Sequence, residues 1–296
     1  MAVASVAGGI GTASPDKEAA RVKSRRKGLG LVFWLAFGWI ALLTISVVLI
    51  DFLPIKPPNV ANYSNRYGPI SAEYLLGTDQ LGRDVFSRIL NGAGISLRIA
   101  FISPLIGLAI GLTLGVMAGY FRGWVDEIIG ILVDVVLAFP NIVAAIAVLF
   151  YAGATIPNLI LVIAFYTIPQ FTRISRANTL LFSQREFVMA ARAQGASHFR
   201  IITREILPNV LIPVAAYSLL VMSFAIILEG GLSFLGVGLP PPTATWGRMI
   251  ADGVQQFVKD PRVTFVPAAF MFLTVLSLNL MGDRLRALTD VKASNA

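Results

Sequence analysis

Cysteine is absent from all 296 residues, and histidine occurs once, as His198. Disulfides and thiolate-bound metals are therefore excluded. A lone imidazole also has no companion histidine for a metal site, and the sequence shows no HExxH and no Ser-His pairing. No G-x-x-x-x-G-K-[ST] stretch is present, so the chain lacks the loop that cradles nucleotide phosphates. Charge is scarce as well: 14% of residues are Asp, Glu, Lys or Arg, where a soluble domain carries about a quarter.

What fills the space is apolar. Hydrophobic residues make up 56% of the chain, and the mean hydropathy is +0.76, which places it among integral membrane proteins. A spanning helix needs about 20 mainly apolar residues. The runs 29–50, 99–121, 128–151, 209–228 and 263–281 meet that length, and a shorter sixth, 157–172, is bracketed by Pro157 and Pro169. A re-entrant hairpin is the alternative for that sixth run. An even count puts both termini on one side. With the N-terminus inside, sixteen of the 24 Lys and Arg fall in cytoplasmic segments, in keeping with the positive-inside rule. The expectation is an all-α membrane protein with six spans, N-in and C-in. The +8 net charge then marks loops beside lipid, and no nucleic-acid partner is expected.

The expected organisation begins with a basic, disordered cytoplasmic tail over 1–28 and an uncleaved anchor helix over 29–50. An extracytoplasmic loop (51–97) precedes a five-helix core (98–282), and 283–296 form a cytoplasmic tail. Within the core lie a cytoplasmic loop, 173–208, and an extracytoplasmic one, 229–262. The first outer loop ends in LLGTDQLGRDVFSRILNGAGISLRIA, where Asp84 and Arg88 have helical i,i+4 spacing. That segment is either a solvated surface helix or a partner contact. In the second outer loop, Trp246 and Arg248 are expected at the membrane interface.

Three features inside the spans stand out. Gly107, Gly111, Gly115 and Gly119 recur every four residues, a small-residue groove that admits a helix closely, from this chain or another. Asp126 and Asp134 share a face at i,i+8, and an intramembrane carboxylate needs a partner, backbone donors or water. Pro140 and Asn141 follow Asp134 in the same apolar run, and all three are candidate pathway or structural residues.

The segment EFVMAARAQGASHFRIITREILPN, 186–209, is too polar to span and too regular for a slack linker. Glu186 to Gln194 predicts a helix with Phe187, Ala190 and Ala191 on one face. Gly195 stops it, Ala196 follows in the elbow, and Ser197 caps a second helix. That helix is expected to end at Leu207 and Pro208, with Phe199, Ile202 and Ile206 on one face. Two short helices with an elbow suit docking to a cytoplasmic protein.

The pattern Ala190, Ala191, Gly195, Leu207, Pro208, in a cytoplasmic loop between the fourth and fifth spans, resembles the EAA loop of ABC-importer permeases, with Met189 in place of the Glu of that name. GTDQLGRDVFSRILNGAGISLR and LSFLGVGLPPPTATWGRMIADG are similar to signatures of the dipeptide/oligopeptide/nickel permease family, in its second, C-type subunit. Ile131 stands where many members have a basic residue. Thr289 and Val291 replace the usual Leu and Pro of the C-terminal motif.

The resemblance implies a type I ABC-importer permease fold in a bacterial cytoplasmic membrane. It implies pairing with a homologous second permease, two cytoplasmic ATPase domains and an extracytoplasmic binding protein that delivers peptide. Glu186, Phe187, Ala190, Ala191, Gly195, Ala196, Ser197, Leu207 and Pro208 become the ATPase-coupling residues. No cofactor is expected in this chain, since ATP and Mg would sit on the ATPases. An ion-gradient-driven transporter using Asp134 is the competing expectation.

Overall fold

The computed structural model describes residues 29–294, so the expected tail over 1–28 lies outside the described residues. Apart from one isolated bridge between Thr78 and Asp84, all regular structure among the described residues is helical. In order these are α1 (Gly30–Val48), α2 (Val85–Phe121), α3 (Gly123–Ala138), α4 (Asn141–Ala152), α5 (Ile156–Phe182) and α6 (Glu186–Ala193), followed by α7 (His198–Phe234), α8 (Trp246–Val254) and α9 (Arg262–Ser294). Four helices are long and apolar enough to cross a membrane: α1, α2, α7 and the Arg262–Leu288 part of α9. Helices α3 and α4 together make a fifth such unit, bent by 80° at their junction. The remaining long helix, α5, has 27 residues, about 40 Å of rise, with Arg173 and Arg176 in its second half.

Three sequence expectations change here. The run 128–151 is not one helix. Pro140 lacks an N–H and disfavours helical backbone at Phe139 before it. Phe139 is indeed extended (ψ 131°), and α4 restarts at Asn141 in a new direction. The run 157–172 is neither short nor a hairpin. Pro157 sits in the first turn of α5, where no intrahelical N–H is needed, and Thr155 caps that turn by accepting from the Asn158 amide. Pro208 does not end a helix. A π turn over Ile201–Ile206 immediately precedes it, widening the register where a proline ring would otherwise strike the carbonyl one turn back. Helix α7 therefore runs from the elbow through to Phe234, about 55 Å.

The centre of the fold is the α2–α5 contact, and the glycine groove makes it. A Cβ at Gly107 would meet Thr167, one at Gly111 Phe171 and Ile168, one at Gly115 Thr172 and Ser175, and one at Gly119 Thr179 and Arg176. Each step along α2 thus meets α5 of the same chain, and the groove is used within the subunit. The main core gathers Ile99 from α2, Leu159 and Ile163 from α5, Ile226 and Leu232 from α7, and Trp246. Helix α1 and the start of α9 lie against it; the Trp39 indole donates to Thr274 Oγ1 at 3.1 Å.

At the end of the fold that holds Asp84 and Trp246, the two signature stretches turn out to be partners. Asp84 caps α2, accepting from the Phe86 and Ser87 amides. Burial pushes its carboxyl above the ordinary range, and those two backbone N–H groups oppose the rise. Arg88 pairs with Asp79 at 3.7 Å rather than with Asp84, and Asp79 also holds Arg83 at 2.6 Å. All four charged side chains are buried, so the solvated-helix expectation is corrected. Arg88 further donates to the carbonyls of Pro58 and Pro242, joining the two outer loops. Trp246 is fully buried, its indole N–H donating to the Ile89 carbonyl at 3.2 Å, so it is a core residue and not an interface anchor. Arg248 pairs with Asp252.

Candidate functional site

The elbow is built as its residue types require. Helix α6 ends in a Schellman arrangement. Gly195, at φ +77°, donates its N–H to the Arg192 carbonyl at 3.0 Å, and the Ala196 N–H reaches the Ala191 carbonyl at 3.1 Å. No atom crowds the missing Cβ of Gly195, so backbone conformation, not space, demands glycine there. Ser197 then caps α7, its hydroxyl accepting from the Arg200 amide at 3.4 Å.

Anchoring comes from the inward side of this unit. Val188 is buried in one cluster with Ile201, Ile206 and Val210, against which Ala191, Ala196 and Leu207 pack partly. His198 Nδ1 lies 2.8 Å from the Tyr120 hydroxyl at the end of α2, and the Arg192 guanidinium stands over the same tyrosine ring at 5.4 Å. The lone histidine is thus an exposed fastener between elbow and α2.

The outward side is left open. Glu186, Phe187, Met189, Ala190 and Phe199 are exposed, Phe199 to 77%. The expected face of Phe187, Ala190 and Ala191 is therefore split: Ala191 leans into the core while the other two face out. Likewise Phe199 does not share a face with Ile206, which is buried, because the π turn intervenes. Leu207 and Pro208 stand beyond that turn, along the shaft of α7 rather than at the elbow.

A second constellation involves the carboxylates of α3. Asp126 is held bidentately by Arg176, one contact being 2.6 Å, and Asp134 pairs with Arg173 at 2.7 Å. The partner that Asp134 required is thus supplied by α5, and Ile131 has no part in it. The Asp134 and Arg173 side chains remain 70% and 61% exposed. A charged residue facing lipid at the centre of a span costs about 2.5–3.5 kcal/mol on insertion scales, so contact with lipid acyl chains is disfavoured for this pair. Pro140 and Asn141 form the α3–α4 bend and make no recorded contact with the pair.

Glu229 escaped the sequence reading. It is 1% exposed, near the outer end of α7, and its carboxylate accepts from Ser96 (3.1 Å) and Ser233 (2.7 Å). No cation lies within ion-pair distance among the described residues. The signal was present: a glutamate beside Gly230 and Gly231 in an otherwise apolar run.

Residues 111–294 match the family described as binding-protein-dependent transport system inner membrane component. Glutathione transport system permease protein GsiD of Escherichia coli O6:K15:H31 (strain 536 / UPEC) is 42% identical over 253 residues, covering 86% of this chain and 84% of that protein. The GsiD of Shigella sonnei (strain Ss046) gives the same identity and coverage. Chains from two crystal forms of the inward-facing MetNI methionine ABC transporter share the fold. One has a TM-score of 0.57 at 18% identity, covering 69% of this chain and 97% of its own, and the other a TM-score of 0.55 at 17%, covering 68% and 96%. The chain belongs to the binding-protein-dependent transport system inner membrane components, as a multi-pass permease subunit of an ABC importer with the type I permease fold.

Proposed function

We propose that this subunit carries peptides inward, pairs with a homologous second permease, and couples to two cytoplasmic ATPase domains through residues 186–208. The observation that carries the reading is the elbow. It is a rigid turn, locked by Gly195 and Ser197 and fastened through His198, that presents Phe187, Ala190 and Phe199 to the outside of the fold. A chain without a nucleotide loop needs such a contact to receive work from ATP hydrolysis. An extracytoplasmic binding protein delivers the cargo, and ATPase closure shifts the permease pair between inward- and outward-open states. The peptide assignment is supported by the relatives named for glutathione, itself a tripeptide. An ion relay through Asp134 fits less well, because its side-chain partner Arg173 stays protonated and cannot pass a proton on.

Ala190→Arg tests coupling on the exposed face, whereas Ala191 packs inward and is a poorer probe. Gly195→Val imposes a β-branched side chain on a positive φ. Both variants should reach the membrane with the second permease yet lose the ATPase subunits on co-purification. Wild-type recovery of ATPase together with normal uptake in both variants refutes the docking role.

A further inference from the structure

The Asp134–Arg173 pair is exposed in a way that neither lipid nor the subunit's own core explains. Asp134 lies 11 residues into α3, about 16 Å along it, and Arg173 reaches it from the second half of α5. On other sides of the same helix, Ile128, Leu132 and Val135 are exposed and suit an apolar neighbour, while the charged pair does not. Gln170, one turn before Arg173, adds an amide to that face. Arg173, Gln170, Leu137, Ile174, Ala177 and Tyr217 line a cavity of about 380 Å³.

The pair is also incompletely used. A guanidinium has about five N–H donors and a carboxylate two oxygens, yet one contact, Arg173 Nη2 to Asp134 Oδ1, joins them. Among the described residues, the other carboxylate oxygen and the remaining guanidinium donors have no hydrogen-bond or ion-pair partner. Exposed groups of this kind need water or a polar solute. Resting on the importer reading, we propose that Asp134, Arg173 and Gln170 line the aqueous passage and form a transient contact site for zwitterionic peptides. The peptide ammonium meets Asp134 and its carboxylate meets Arg173, each exchanging against the resident ion pair, so neither charge is left bare as the solute passes.

Because the chain has no cysteine, the test can be made in the complete transporter with single thiols that leave the pair intact. Gln170→Cys and Ala177→Cys are labelled with a membrane-impermeant, positively charged methanethiosulfonate, and Leu132→Cys, exposed on the opposite side of α3 from Asp134, serves as the apolar-face reference. The two cavity thiols should label many-fold faster than the reference. Their rates should change several-fold when ATP with vanadate traps the ATPases, and millimolar alanylalanine should slow them. That protection should vanish in the Asp134→Asn/Arg173→Gln background, which removes both charges together. Labelling no faster than at Leu132→Cys, or disulfide cross-linking of position 170 to the second permease, overturns the passage assignment. So does protection that survives the double neutral substitution. ATP-driven uptake is measured on the same preparations: if the parent transports, a failed labelling result rejects the passage alone, and if it does not, the importer reading falls.

Discussion

Replacing Gly111 with alanine is a sharp test of the α2–α5 contact. The new methyl would stand 2.6 Å from Phe171 Cβ, 2.7 Å from the Ile168 carbonyl oxygen and 3.0 Å from the Thr172 amide nitrogen. Two of those three atoms are backbone and cannot rotate away. Ordinary carbon contact is about 3.5–4.0 Å, so the helices must part by nearly an ångström, loosening the neighbouring glycine contacts as well. Overpacking of this kind costs typically 1–3 kcal/mol, against about 1 kcal/mol gained from helix propensity. Gly130→Ala is the control, since nothing lies within 4 Å of its Cβ position. It should keep the propensity gain of about 1 kcal/mol with no steric charge against it. The two variants should differ by about 1–3 kcal/mol, which at about 2–4 °C per kcal/mol is roughly 2–12 °C in apparent Tm. Thermal unfolding of the purified subunit in detergent reads this directly. Equal apparent Tm values would refute the close-packing account.

Other outcomes follow from the same contacts. Ser96 and Ser233 donate to different oxygens of Glu229; Glu229→Gln keeps a carbonyl acceptor for one and offers an amide N–H to the other hydroxyl, and should match the parent in thermal stability. Glu229→Leu leaves buried hydroxyls without that acceptor and should lose about 1–3 kcal/mol. Asp84→Ala removes the α2 cap and should cost about 0.5–2 kcal/mol, whereas Asp84→Asn should cost little. Because burial raises the Asp84 carboxyl, the folded state holds that proton more tightly than the unfolded one. Its contribution is fullest below about pH 4 and is lost as pH rises through the folded value, a dependence that Asp84→Asn should abolish in pH-stability curves. Pro242→Cys should label from outside and Ala196→Cys only from inside; the reverse pattern would overturn the N-in orientation.

Much of this was readable because it is local. Glycines four residues apart announce a groove whatever fills it, and Gly195 followed by Ser197 announces a helix stop and a helix start. What was missed lies in direction and distance. Hydropathy records that 128–151 is apolar throughout but not that Pro140 turns it by 80°. The π turn before Pro208 has no composition of its own. Arg173 is 39 residues from Asp134, so no helical spacing rule could pair them. Trp246 read as an interface anchor from its type, yet its indole found the Ile89 carbonyl in the core. The two signature stretches were legible as a resemblance, but only the fold explains them: Arg88 with Pro242 and Trp246 with Ile89 fasten one to the other.

The central claim is ATP-driven transport coupled through the elbow, and reconstitution tests it most directly. Proteoliposomes holding this subunit, its permease partner and the ATPases, supplied with binding protein, are assayed for uptake of a radiolabelled dipeptide. Accumulation should require ATP, persist when ionophores collapse ion gradients, and fall to background with Ala190→Arg. Uptake that proceeds without the ATPases, follows an imposed ion gradient and disappears with Asp134→Asn would contradict it.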